Sequence, residues 1–268
     1  MTSFLGYGES WLKKRKRRRR PSFYSGAVGD AVEAPHYLDV DPALTLWYNA
    51  TVGGDVGLGG VMTDLSGNEH DMQMYSGAYV DEDGMHFNGT SAYGNAGNPA
   101  LLRFGPIDFS MCFWLKAPAV NQKAMIFAKN SIINPWEQYS VGIYDGSATY
   151  GWGQRLTFTW IADGTHRKIF ATDVVVLDGT WHSYCFVVEV GEGIYIYEDG
   201  VALATHEFYP LDNWGVVGPA NGDNLLLGGG NAGDRMKGEI DDVRIYRDRL
   251  ITLEESGILY SRGRTLAG

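Results

Sequence analysis

The chain has 268 residues, 44% hydrophobic and 13% aromatic, enough for one large packed domain or two small ones. Two cysteines exclude a disulfide-dense scaffold, and no apolar run reaches the length of a membrane span. The net charge of −10 is unevenly spread: residues 1–20 hold eight Lys or Arg against one Glu and carry +7, so the rest carry −17. A basic arm on an acidic body predicts different partners for the two parts.

Residues 1–34 read as an arm and linker. Lys13, Lys14, Arg15, Lys16, Arg17, Arg18, Arg19 and Arg20 form one cationic block, which repels itself and has little apolar surface to bury. Pro21 ends any helix there. Residues 21–26 (Pro-Ser-Phe-Tyr-Ser-Gly) stand where a secretion signal would carry an apolar stretch, so no such signal is read. The block suits nonspecific contact with nucleic acid, an import-like address, or a peg in an acidic protein surface.

Residues 35–268 read as one domain. Ala43 to Tyr48 is a first strand, followed by a Gly-rich loop and the polar segment Met62 to Asp71. Met85 to Gly89 and Ala92 to Asn95 predict a hairpin with a tight turn. Asp81-Glu82-Asp83 predicts a solvated turn. Phe109 to Lys116 is apolar on both faces and predicts a central strand. Strands over Lys123–Lys129 and Tyr139–Tyr144 follow, then a pair over Leu156–Ile161 and Lys168–Ala171. Trp181 to Val190 is a long β-prone run, and Ile194 to Ala204 a hairpin turning at Asp199-Gly200. Leu225 to Gly228 leads into a last strand, Gly238 to Tyr246, whose alternation slips at Asp241-Asp242 and predicts a bulge or turn. There, Ile240, Val243 and Ile245 feed a core while Arg244 points away. Leu250 to Tyr260 closes the chain as a short helix. About a dozen strands without long helices predict an all-β, two-sheet antiparallel sandwich, with Trp114 and Trp181 filling the space between sheets. Cys112 and Cys185 lie in apolar runs; a disulfide across the sandwich and two free buried thiols are both open, and the sparse cysteine content favours the thiols.

Five segments in order resemble laminin-G-like domains of the concanavalin A-like jelly-roll superfamily. They are Asp64 to Asn68; Phe87 to Tyr93, similar to the family's F-x-G-x-x-x-Y; Phe109 to Lys116, similar to F-S-x-x-x-W-x-K; Trp181-His182 with Tyr197-Glu198-Asp199-Gly200; and Gly238 to Tyr246 with its closing helix. The resemblance covers Leu44 to Tyr260 and implies the jelly-roll fold, which hosts lectins, hydrolases, adhesion modules and viral structural proteins.

The resemblance implies three kinds of site. Calcium is the implied cofactor, held by Asp64 and Asn68 with Asp241 or Asp242; the alternative is an Asx turn at Asp64 and solvated acids at 241 and 242. Trp136, Tyr150, Trp152 and Trp214 lie in Gly- and Asn-rich loops and are candidate sugar-stacking residues, or caps on the core edge. Glucanases of this fold resemble one another in a Glu-x-Asp-x-x-Glu strand. Here Glu239 and Asp241 match, but Arg244 replaces the third acid, so no enzyme is expected. The six histidines show no metal spacing. A display-type sandwich on a cationic arm, with no signal read, predicts a virion structural protein: a phage capsid-decorating or fibre component in an oligomeric assembly, anchored to capsid or tail through the arm. A lectin-like module for surface glycans is the alternative, and a glycoside hydrolase the third.

Overall fold

The computed structural model describes residues 36–53, 56–120, 122–130, 138–144, 154–161, 167–173, 177–207, 223–230 and 234–264. The cationic block and Trp136, Tyr150, Trp152 and Trp214 lie outside the described residues.

Two antiparallel sheets form a sandwich. The first contains β1 (Leu44–Tyr48), β4 (Tyr79–Asp81), β5 (Gly84–Asn88), β7 (Phe109–Lys116), β12 (Trp181–Glu189), β13 (Gly193–Glu198), β14 (Val201–Ala202) and β17 (Lys237–Arg247). Its order is β14-β13-β12-β7-β17-β5-β4, with β1 on the far half of β17. The second contains β2 (Val61–Met62), β3 (Met72–Tyr75), β6 (Tyr93–Asn95), β8 (Ala124–Asn130), β9 (Gln138–Tyr144), β10 (Arg155–Ile161), β11 (Arg167–Thr172), β15 (Thr205–Glu207) and β16 (Leu226–Leu227). Its order is β15-β11-β10-β9-β8-β16-β6-β3-β2. Two α-helices, α1 (Ala50–Gly53) and α2 (Leu253–Arg262), and a 3-10 turn at Ala100–Leu102 complete the described elements, and none is long and apolar enough to cross a membrane.

As expected, β7 is central, between β12 and β17. The β10–β11 pair and the β13–β14 turn also form where the sequence puts them. Asp199 and Gly200 at that turn both have positive φ, +50° and +76°, as a two-residue hairpin requires. A Cβ on Gly200 would stand 2.8 Å from Gly257 Cα, so the hairpin tip approaches α2 this closely only because residue 200 is glycine. The predicted hairpin at Met85 to Asn95 does not exist. β5 joins the first sheet and β6 the second, and Gly89 to Ala92 carries the chain between them.

The space between sheets is filled by one apolar cluster that includes Phe104, Phe109, Phe113, Phe127, Phe158, Phe186 and Trp160. Phe104 stacks on Phe109 at 3.9 Å, and Phe113 meets Phe127 edge-on at 4.8 Å. Trp114 and Trp181 are not there. They alternate out of phase with Phe113 and Tyr184, so they face outward, and Trp114 stacks on Tyr260 of α2 at 5.7 Å. A run apolar on both faces leaves the alternation ambiguous, and the order of neighbouring strands resolves it.

The outer face of the first sheet carries a second cluster under α2 and the segment before β1: Leu38, Leu44, Trp47, Cys112, Cys185, Val187, Tyr246, Ile251 and Leu259. Cys112 and Cys185 are direct cross-strand partners in β7 and β12 and form a disulfide. The bond lies within one sheet, which corrects both the free-thiol expectation and the across-the-sandwich one. Thr252 caps α2 through a reciprocal pair of hydrogen bonds with Glu255.

Candidate functional site

The slip at Asp241-Asp242 is a bulge. Between the pairs Asp241↔Trp114 and Arg244↔Cys112, two residues of β17 oppose Phe113 alone, and Asp242 has φ +42°. The extra residue lets Ile240 and Val243 both face the core while Asp241 and Arg244 both face out.

The acids there are buried, not solvated. Asp242 Oδ1 accepts from Trp47 Nε1 at 2.8 Å, Asn49 Nδ2 at 3.2 Å and Arg244 Nε at 3.0 Å. Arg244 does point away from the inter-sheet core, but it is only 1% exposed, covered by the Trp47 ring 4.5 Å from its guanidinium. It shares Asp39 with Arg262. Burial would raise the Asp39 pKa, but hydrogen bonds from these two arginines outweigh it and hold the carboxyl below its usual range. Asp241 accepts from the N–H groups of Ala50 and Asp242, yet burial prevails and pushes its pKa up to about 6.

The calcium set can be tested on these contacts. Asp64 Oδ1 accepts from the N–H groups of Trp47 and Ser66, and its Oδ2 from Ser66 Oγ and the His70 N–H. This is the Asx-type turn. Asn68 turns its amide nitrogen inward, onto the carbonyls of Leu44 and Thr45. Asp64 oxygens engaged by N–H and O–H donors, and acids at 241 and 242 that already accept from N–H groups beside the buried Arg244, do not fit a cation that wants six or more oxygen ligands. Among the described residues no group of three or more His, Cys, Asp or Glu is arranged to hold a metal ion.

The other half of the outer face lies outside this second cluster and holds the site. Cross-strand register places five side chains in one row over five strands: Tyr79 on β4, His86 on β5, Glu239 on β17, Lys116 on β7 and Trp181 on β12. Tyr79 stacks on His86 with ring centres 4.3 Å apart and planes 5° from parallel. His86 Nε2 lies 2.7 Å from Asp81 Oδ1, and its Nδ1 3.7 Å from Glu239. Burial would raise the Asp81 pKa, but the His86 hydrogen bond outweighs it and lowers it. The solvated turn forms as expected at Glu82 and Asp83, both exposed, while Asp81 at its start is tied to the row. Lys116 Nζ donates to Glu239 Oε2 at 2.8 Å and lies 5.9 Å from the Trp181 ring centre. Arg264 lies over Trp181 at 4.1 Å.

Beside the row opens a cleft of about 420 Å³, lined among others by Tyr79, His86, Asn88, Lys116, Lys237 and Glu239. Gly238 in its wall has φ +144°, and a Cβ there would stand 2.5 Å from the Lys116 carbonyl. Flat rings beside paired acceptors and donors can stack an apolar ring face while hydrogen-bonding hydroxyls at its edge. Sequence reading singled out only Glu239 as chemically active and placed Trp181 in the core. It passed over Tyr79, His86 and Lys116, because only strand register brings them together.

The chain belongs to a family of the concanavalin A-like lectin/glucanases superfamily, whose profile matches residues 88–255. No curated protein matches the sequence. Among solved structures it is similar to domain 4 of AbnA, a GH43 extracellular arabinanase from Geobacillus stearothermophilus, in complex with arabinotriose. Identity is 17%, coverage 81% of this chain and 98% of that one, and the TM-score 0.59. It is also similar to the binding domain of Paraclostridial Mosquitocidal Protein 1, with 14% identity, 81% and 52% coverage and a TM-score of 0.58. The botulinum neurotoxin serotype D binding domain gives 13%, 85%, 53% and 0.59. The chain spans about half the length of these two toxin structures. At such identities the likeness is one of fold.

Proposed function

We propose that this chain is a non-catalytic carbohydrate-recognition module whose ligand lies across the outer face of the first sheet, along β4, β5, β17, β7 and β12. The observation that carries this is the in-register row Tyr79–His86–Glu239–Lys116–Trp181, with aromatic rings at both ends and an acid–base pair between them, bordering the cleft. The arabinotriose held by the similar arabinanase domain supports a sugar as the ligand class.

The same geometry argues against hydrolysis. A glycosidase needs two carboxylates flanking the scissile bond, one of them a proton donor. Glu239 is paired with Lys116, and Asp241, two residues on, is fully buried against the N–H groups of Ala50 and Asp242. Arg244 stands at the third acid position. An oligosaccharide array, followed by product analysis of each bound sugar, tests this. Retention of intact sugar by the wild type, weakened by Glu239→Gln, is expected; released shorter sugars would establish an enzyme.

The charge segregation of +7 in residues 1–20 against −17 elsewhere favours a second, compatible reading. Residues 1–34 would be an arm tethering the 35–268 sandwich to a larger assembly, such as the capsid or tail of a phage virion or its nucleic acid. Deletion of residues 1–20 should abolish co-sedimentation with that assembly while leaving sugar binding intact. Full incorporation of the truncated chain would exclude the tether.

A further inference from the structure

Lys129, on β8, is fully buried. Its Nζ lies 2.7 Å from the side-chain oxygen of Asn98 and also donates to the main-chain carbonyl of Asp223. Burial pulls its pKa down to about 8, the Arg103 charge acts in the same direction, and the Asp223 charge opposes both. Mildly alkaline solution therefore leaves much of it as the free amine, which is nucleophilic.

Asn98 is set up as the matching electrophile. Its Oδ1 accepts from Arg103 Nε at 3.2 Å as well as from the lysine. A guanidinium on an amide oxygen draws electron density from Cγ and stabilises the negative charge that addition would place on that oxygen. The next residue is Pro99, which has no N–H, so Asn98 cannot close onto the following peptide nitrogen. Its amide is thus shielded from the ordinary ring closure and held, half-buried, against a different amine.

We propose that Lys129 and Asn98 join in an intramolecular isopeptide bond. The Nζ lone pair attacks Asn98 Cγ, and Arg103 holds the charge on Oδ1. The Cγ–Nδ2 bond then breaks as one Nζ proton passes to Nδ2, and the nitrogen leaves as ammonia. No oxidant, metal or second reactant is needed. The bond ties the loop after β6 to β8, the two strands that flank the two-residue β16 in the second sheet.

The test is the intact mass of the full wild-type chain, incubated above the lysine's pKa, with a tryptic map. The expected result is a mass lower by one ammonia and a branched peptide joining Lys129 to Asn98. The Lys129→Arg and Asn98→Ala chains should keep their full mass at these positions. Arg103→Gln, which retains both reacting groups, should slow bond formation at least tenfold. A wild-type chain that keeps its full mass and yields two separate peptides overturns the proposal. So does an ammonia loss that maps to another asparagine.

Discussion

The indole nitrogen of Trp47 donates to Asp242 at 2.8 Å, joining the first strand to a carboxylate 195 residues further along the chain. The same carboxylate faces Arg244, whose guanidinium lies under the Trp47 ring. Sheet edge, bulge and covering segment are therefore fixed through one buried charge. Asp242→Ala removes a partner from a buried arginine and should cost about 3 kcal/mol, the low end for such a break because Asp39 remains. Asp242→Asn should cost less: its side-chain oxygen still accepts from Trp47, and asparagine tolerates φ +42°. Urea unfolding of the two variants checks the order.

Asp241 should give stability an unusual slope with pH. Its folded pKa of about 6 lies above the ordinary carboxylate value of about 4. Its contribution is therefore fully present below about 4 and is lost as pH rises through about 6. Asp241→Asn keeps an acceptor for the Ala50 N–H but carries no charge. It should match the wild type at acid pH and exceed it by about 3 kcal/mol at neutral pH. Equal stability at both would show that the carboxyl is not desolvated.

The Cys112–Cys185 bond closes a loop of 73 residues. Constraining a loop of that length in the unfolded chain stabilises the fold by about 4 kcal/mol. Denaturation of the wild type and a Cys112→Ala/Cys185→Ala chain, with and without reductant, should show a loss of this order.

Asp64 should behave as a turn residue and not as a cation ligand. Chelator and added calcium should both leave the melting temperature unchanged. Asp64→Ala strands the Trp47, Ser66 and His70 N–H groups and should cost about 2 to 3 kcal/mol. A rise in melting temperature with calcium, absent from Asp64→Ala, would restore the metal.

The fold was legible because its signals are local. Asp199-Gly200 defines its own turn, and the slip at Asp241-Asp242 shows in the alternation of β17. The false hairpin at Met85 to Asn95 has the same origin: two short strands and a glycine look alike whether the chain pairs with itself or crosses to the other sheet. Trp114 and Trp181 were misplaced because the face of a strand apolar on both sides depends on its neighbours. The row was illegible for a stronger reason. Tyr79, His86, Lys116, Trp181 and Glu239 are scattered over 161 positions and meet only through the order β4-β5-β17-β7-β12.

The most direct test of sugar recognition by this row is calorimetric titration with arabino-oligosaccharides and the sugars retained on the array. Wild type, Tyr79→Ala and Tyr195→Ala should be compared; Tyr195 is an exposed tyrosine on β13, away from the cleft. Loss of one stacking ring should weaken binding about tenfold in Tyr79→Ala, with Tyr195→Ala unchanged. Binding that ignores Tyr79, or no binding to any sugar by a folded wild type, would contradict the assignment.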